Sequence, residues 1–199
     1  MTLLLAYARE RLTPGRLLPA VLLVVIATLA GKGWDGRAVL AADTVLALAL
    51  VISFRIWDDL MDRERDRSKH PDRVVVRAPS TTPLVLVSWV LATGTFLTLE
   101  VRRATESVVL LGIYIAVLAA SYAWRLPAVA SAKAGGLRTP TAERILLLKY
   151  GVFTLALIGP PAALMPRGLL SAAAAFLAAC VYEWWHDAES PVFSFGGSR

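Results

Sequence analysis

The stretch "FRIWDDLMDRERDRSKHPDRVV", residues 54 to 75, joins two long apolar runs and packs Asp58, Asp59, Asp62 and Asp66 into nine residues. Its first half is greasy and its second half alternates charge. The edge of a membrane span therefore falls inside it. The rest of the chain agrees. It is 57% hydrophobic and only 18% charged, with a mean hydropathy of +0.60, against roughly 25% charged for a soluble domain. The apolar residues gather into blocks long enough to cross a hydrocarbon core about 30 Å thick. The sequence reads as an all-α integral membrane helical bundle of about six transmembrane helices, forming one domain over residues 1–199.

Spans are expected at 17–32, 38–57, 82–99, 107–125, 145–163 and 168–185. Pro19 lies near the start of the first, where proline is tolerated. Pro160 and Pro161 are expected to kink or end the fifth. Orientation follows from Lys and Arg rather than net charge. Arg9, Arg11 and Arg16 precede the first span. The second loop holds Arg55, Arg63, Arg65, Arg67, Lys69, Arg73 and Arg77. The fourth holds Arg125, Lys133, Arg138, Arg144 and Lys149, with Glu143 as its acidic residue. These segments, and both termini, are expected on the cytoplasmic side, in what would be a bacterial inner membrane. The formal charge of +6 then reflects topology and gives no reason to expect nucleic acid. Cys180 is the one cysteine and reads as a small core residue. The N-terminal segment lacks the pattern of a signal peptide and is expected to be retained.

The acidic residues carry the chemistry. Asp58, Asp62 and Asp66 are spaced four apart, so a helix running through them puts them on one face. Like charges at that spacing repel, a cost that a bound cation offsets. Mg²⁺ binds through one or two carboxylates plus substrate phosphate, and Arg or Lys suits the other side of a diphosphate. A second acidic pair, Glu183 and Asp187 in "CVYEWWHDAESP", closes the sixth span on the same side. Two acidic patches at one end of a bundle suggest two metal patches bridged by a diphosphate. The competing reading is a solvated, self-paired helix end, as "DRERDRSK" permits. Asp43, near the outer end of span 2 and a turn or two from Arg37, is expected to snorkel to the surface or pair locally, although a carboxylate in a span suggests function by default. Tyr114, Tyr122 and Trp124 on span 4 suit either a carbocation site or an interface belt. His186 suits a base or a surface residue.

"DDLMDRERD" resembles the N-D-x-x-D-x-x-x-D signature of the UbiA superfamily of intramembrane prenyltransferases, with Asp58 where the family usually has Asn. The following "SKHPDRVV" is similar to the family's "NKPDRPI" segment, and "LTPGRLLPA" to its opening before span 1. "YEWWHD" stands where the family carries a second aspartate motif. Typical members carry further spans that close the far wall of the cavity. The resemblance implies Mg²⁺-dependent transfer of a prenyl group from an isoprenoid diphosphate to a lipophilic, for example aromatic, acceptor. It implies Asp59, Asp62 and Asp66 at one metal group, with Asp58 beside them, and Glu183 and Asp187 at the other. Lys69, Arg73 and Lys149 would touch the diphosphate. A homo-oligomer or partner subunit covering the open groove is expected, besides membrane lipid. The alternatives are a non-catalytic protein that binds isoprenoid or lipid phosphates, or a helical subunit of a larger membrane complex. The "D-G-x-x-A-R" signature of CDP-alcohol phosphotransferases does not occur.

Overall fold

In the computed structural model, described for residues 2–131, 140–186 and 191–193, the described residues form helices, turns and connecting loops. A short helix α1 (Leu3–Arg11) precedes α2 (Pro14–Lys32) and α3 (Arg37–Met61). Two short helices, α4 (Arg63–Lys69) and α5 (Val74–Arg77), follow. The long helices α6 (Thr82–Arg102), α7 (Thr105–Ser131), α8 (Pro140–Ile158) and α9 (Pro166–His186) complete the bundle. Pro14 and Pro83 sit in the first turns of α2 and α6, where the missing N–H costs nothing.

Five helices are long and apolar enough to cross a membrane: Pro14–Lys32, Arg37–Met61, Thr82–Arg102, Thr105–Ala123 and Pro166–Trp185. The expected span at 145–163 is represented by α8, which begins earlier and ends before Gly159, ahead of both prolines. α8 is also long, about 28 Å at 1.5 Å per residue. It carries Glu143, Arg144 and Lys149 in its first half.

The position of α8 explains how it can carry them. It packs against α2, α3, α7 and α9 at the centre of the bundle, so its charged side chains meet protein and not lipid. Its residues Gly151, Val152, Phe153 and Thr154 are all buried. Phe153 meets Phe54 of α3 edge to face, with ring centroids 4.9 Å apart. Val24, Ala47, Leu50, Leu111, Leu118 and Leu157 surround them in one core. Lipid tails are as apolar as leucine, so close backbone approach must hold such helices together. Gly151 shows this. A Cβ there would stand 2.9 Å from the carbonyl oxygen of Ala172 on α9. The outward faces of α2, α3, α6 and α9 carry exposed Ile26, Val45, Val90 and Leu170, as lipid contact requires.

The long helices alternate in direction, which gives the bundle two polar ends. At one, Lys32 of α2 and Arg103 after α6 both bond buried Asp43, at 2.6 and 2.7 Å. Arg167 at the start of α9 reaches the carbonyl oxygen of Ala30 there, at 2.5 Å. Asp43 thus pairs with these two cations, and not with Arg37. At the opposite end lie α1, the start of α2, and the end of α3 with its aspartates.

Candidate functional site

The i→i−4 ladder runs almost unbroken through the aspartates. The Asp62 amide donates to Asp58, that of Asp66 to Asp62, and that of His70 to Asp66, over 2.7–2.9 Å. Asp62 itself is the single residue between α3 and α4, with φ −82° and ψ −3°. The four carboxylates nevertheless meet different partners.

Asp58 turns to α7 and α8. It accepts from the Tyr122 hydroxyl at 2.9 Å and forms a short ion pair with Lys149. Asp59 turns the opposite way, to α1. Its carboxylate accepts from Arg11 Nε at 2.9 Å, Arg11 Nη2 at 2.6 Å and the Tyr7 hydroxyl at 2.7 Å. The two-pronged guanidinium matches the carboxylate plane. Burial pushes the Tyr7 hydroxyl upward, and the neighbouring Asp59 pushes it further. Burial works against the charged form of Arg11, but the hydrogen bonds and charge of Asp59 outweigh it, and the shift is upward. Glu10, next to Arg11, accepts from the Val74 amide at 2.9 Å. α1 is thereby fastened both to α3 and to the first turn of α5.

Asp62 is half-buried, with Arg65 at 3.2 Å. Its carboxyl is raised above the usual range, chiefly by burial; Arg65 opposes this, while Asp58, Asp66 and Glu143 of α8 reinforce it. Asp66 is fully buried and ion-pairs with Arg73, yet its Oδ1 has no hydrogen-bond partner. Asp58, Asp62 and Asp66 therefore share one electrostatic field, into which the start of α8 adds Glu143.

A cleft of about 450 Å³ lies between α2 and α9. Its apolar wall is Pro19, Ala20, Leu23, Leu147, Ala178 and Ala179, and Arg16, Arg55, Tyr150, Tyr182 and Glu183 supply its polar groups. A narrower recess adjoins it through Arg16, Ala20, Arg55 and Tyr150, and reaches Arg11 and Lys149. Arg11, Arg16, Arg55 and Lys149 thus crowd the aspartate end of an otherwise apolar surface. Arg55 is 39% exposed, stands 3.7 Å from Asp59, and its Nε is buried without a hydrogen-bond partner.

The residues expected to form the site divide accordingly. Glu183 lines the same cleft as Arg55. Asp187 lies outside the described residues, as do Lys133, Arg138 and the side chains of Trp124 and His186. Of the three expected diphosphate contacts, Lys149 lines the recess, Arg73 is engaged with Asp66, and Lys69 is exposed at the end of α4. Tyr114 donates to the Ile145 carbonyl oxygen at 2.8 Å, a packing role. Sequence reasoning missed Arg11, Arg16 and Arg55 because it counted them only as topology-setting charges, and it missed the part played by Tyr7 and Glu143. The visible signal was that Arg55 precedes Asp59 by one helical turn.

The aspartates fit a metal only in part. Among the described residues, no group of three or more His, Cys, Asp or Glu side chains stands ready to hold an ion. Asp58 and Asp59 are committed to cations and tyrosines. Asp62 and Asp66 are each paired as well, with Arg65 and Arg73, but Asp62 is half-buried with its carboxyl raised chiefly by burial, and Asp66 keeps one oxygen unmet. Two carboxylates with substrate phosphate suit Mg²⁺. No protein-family model, curated protein or solved structure matches the chain.

Proposed function

We propose that this protein is a six-span, UbiA-like bundle that binds an isoprenoid diphosphate at its cytoplasmic end and transfers the prenyl group to a lipophilic acceptor in the membrane. α8 is its central, charge-bearing span, and both termini face the cytoplasm. One observation carries the reading: the aspartate stretch that resembles the family signature lies beside a cation-lined recess opening onto an apolar cleft. That combination suits a molecule with a highly charged head and a greasy tail.

Asp62 and Asp66 would hold Mg²⁺, which stabilises the negative charge developing on a departing diphosphate. The chain's own side chains do the rest. Asp58 holds Lys149 at the recess, and Asp59 holds Arg11 there. The apolar wall of Ala20, Leu23 and Ala179 keeps water from an allylic cation, which water would consume.

The test is turnover by purified protein in nanodiscs with labelled isoprenoid diphosphates, Mg²⁺ and lipophilic acceptor extract. Asp62→Ala is expected to abolish prenyl transfer while the bundle stays folded. Full activity in that variant, or undiminished activity after complete chelation, refutes the reading. The alternative of a non-catalytic binder of isoprenoid phosphates is favoured by the commitment of Asp58 and Asp59 to ion pairs. It predicts tight binding with no diphosphate release in the same experiment.

A further inference from the structure

We infer that the anionic head of the substrate is held by Arg16 and Arg55, with its tail in the α2/α9 cleft, and not by the Lys69 and Arg73 pair. The inference rests on the proposed reading for the identity of the ligand, an isoprenoid diphosphate. Its location comes from the charge and shape of the cleft.

Four cations line the recess, and two carboxylates bond them. Arg11 is consumed by Asp59 and Lys149 by Asp58. Arg16 has one hydrogen bond, to the Glu10 carbonyl oxygen at 2.6 Å, which neutralises no charge. Arg55 has only the corner of an already satisfied Asp59 at 3.7 Å. The Arg55 Nε is buried facing Asp59, and the rest of this 39%-exposed side chain lines the cleft, where an oxyanion would meet the guanidinium. The recess wall itself carries four cations and no carboxylate, with Asp58, Asp59, Glu10 and the cleft's Glu183 around it. Arg16 and Arg55 are the two cations on it that no carboxylate hydrogen-bonds among the described residues. Guanidinium forks match phosphate oxygens in pairs.

Shape supplies the second half. Arg16 and Arg55 line both the narrow recess and the wide cleft. A head group bonded to both arginines stands at the junction, and its chain extends along Ala20, Leu23, Ala178 and Ala179. A volume of about 450 Å³ lies within the ordinary range of ligand sites, roughly 300–1,000 Å³. By contrast, Lys69 is exposed on α4, and Arg73 is spent on Asp66. Neither lines the cleft or the recess.

The experiment is a binding titration, independent of turnover. The probe is a prenyl diphosphate analogue with a non-cleavable sulfur or methylene link, added to the protein in nanodiscs of zwitterionic lipid. Wild type is compared with Arg16→Gln, Arg55→Gln and the double variant, and with Lys69→Gln. Each cleft substitution is expected to weaken binding about tenfold, the loss of a charge-assisted bond, while Lys69→Gln leaves it unchanged. The neutral prenyl alcohol is expected to bind equally weakly to all forms. Unchanged affinity in the double variant overturns the inference while leaving prenyl transfer standing. An anionic phospholipid that displaces the analogue at equal concentration overturns the assignment of the cleft to isoprenoid diphosphates. Loss of turnover in Asp62→Ala with intact binding of the analogue separates this site from the proposed chemistry.

Discussion

Asp59 is a buried carboxylate hydrogen-bonded by one guanidinium, that of Arg11, with Arg55 farther off at 3.7 Å, so replacing Arg11 with methionine removes its closest charge partner. The Asp59 side chain is 6% exposed and takes two hydrogen bonds from Arg11, at 2.6 and 2.9 Å, and one from Tyr7 at 2.7 Å. Arg11→Met keeps the aliphatic bulk and deletes two charge-assisted bonds. Removing one partner of a buried pair costs about 3–5 kcal/mol, because the other charge is left uncompensated. Arg55 at 3.7 Å can swing toward Asp59, so the expected loss is at the low end, about 3 kcal/mol. Adding Asp59→Asn removes the stranded charge. The double variant should recover about 1–3 kcal/mol relative to Arg11→Met alone. Reversible unfolding in mixed micelles measures both, and hydrogen exchange over residues 3–11 shows whether α1 detaches first. A loss below about 1 kcal/mol for Arg11→Met, or strict additivity in the cycle, refutes the account of α1 as fastened through Asp59.

At the far end of the bundle, Asp43→Ala leaves Arg103 beside Lys32, which keeps only half-exposed Asp35 at 3.0 Å, so about 3 kcal/mol of stability should be lost, read by the same unfolding assay. Asp62 tests the acidic field by pH. Its carboxyl is raised by burial and by Asp58, Asp66 and Glu143, so the folded state binds the proton more tightly than the unfolded one. Its contribution is fully present below the unfolded value, about 3.9, and is lost as pH rises through the folded value. Asp62→Asn should therefore be more stable than wild type at pH 7 and lose that advantage near pH 4, which a pH series of thermal unfolding will show.

Much of the fold was legible because apolar block length and proline positions have direct geometric meaning. The spans expected at 38–57 and 82–99 fall within α3 and α6, extended by a turn or less at most ends. α8 was harder. It carries Glu143, Arg144 and Lys149, and its central position, packed against α2, α3, α7 and α9, explains why they are tolerated. The four-residue spacing of Asp58, Asp62 and Asp66 put them on one helical face if the helix ran on, and the backbone ladder does run through them. Spacing says nothing of partners, so the diversion of Asp59 to Tyr7 and Arg11, forty-eight or more residues away, was invisible. Lysine and arginine counts in loops report topology only in sum. Arg16 and Arg55 emerged as different from Lys69 when the helices brought them to one cleft.

The central claim is that the aspartate end of the bundle carries out prenyl transfer. It is tested most directly by single-turnover incubation of purified protein with Mg²⁺ and isotope-labelled isoprenoid diphosphates of several chain lengths, with the lipid phase analysed by mass spectrometry. The account predicts a labelled prenylated lipophile formed in step with released diphosphate, and neither in Asp62→Ala. Stoichiometric retention of intact isoprenoid diphosphate, with no labelled product in the presence of acceptor extract, would contradict it.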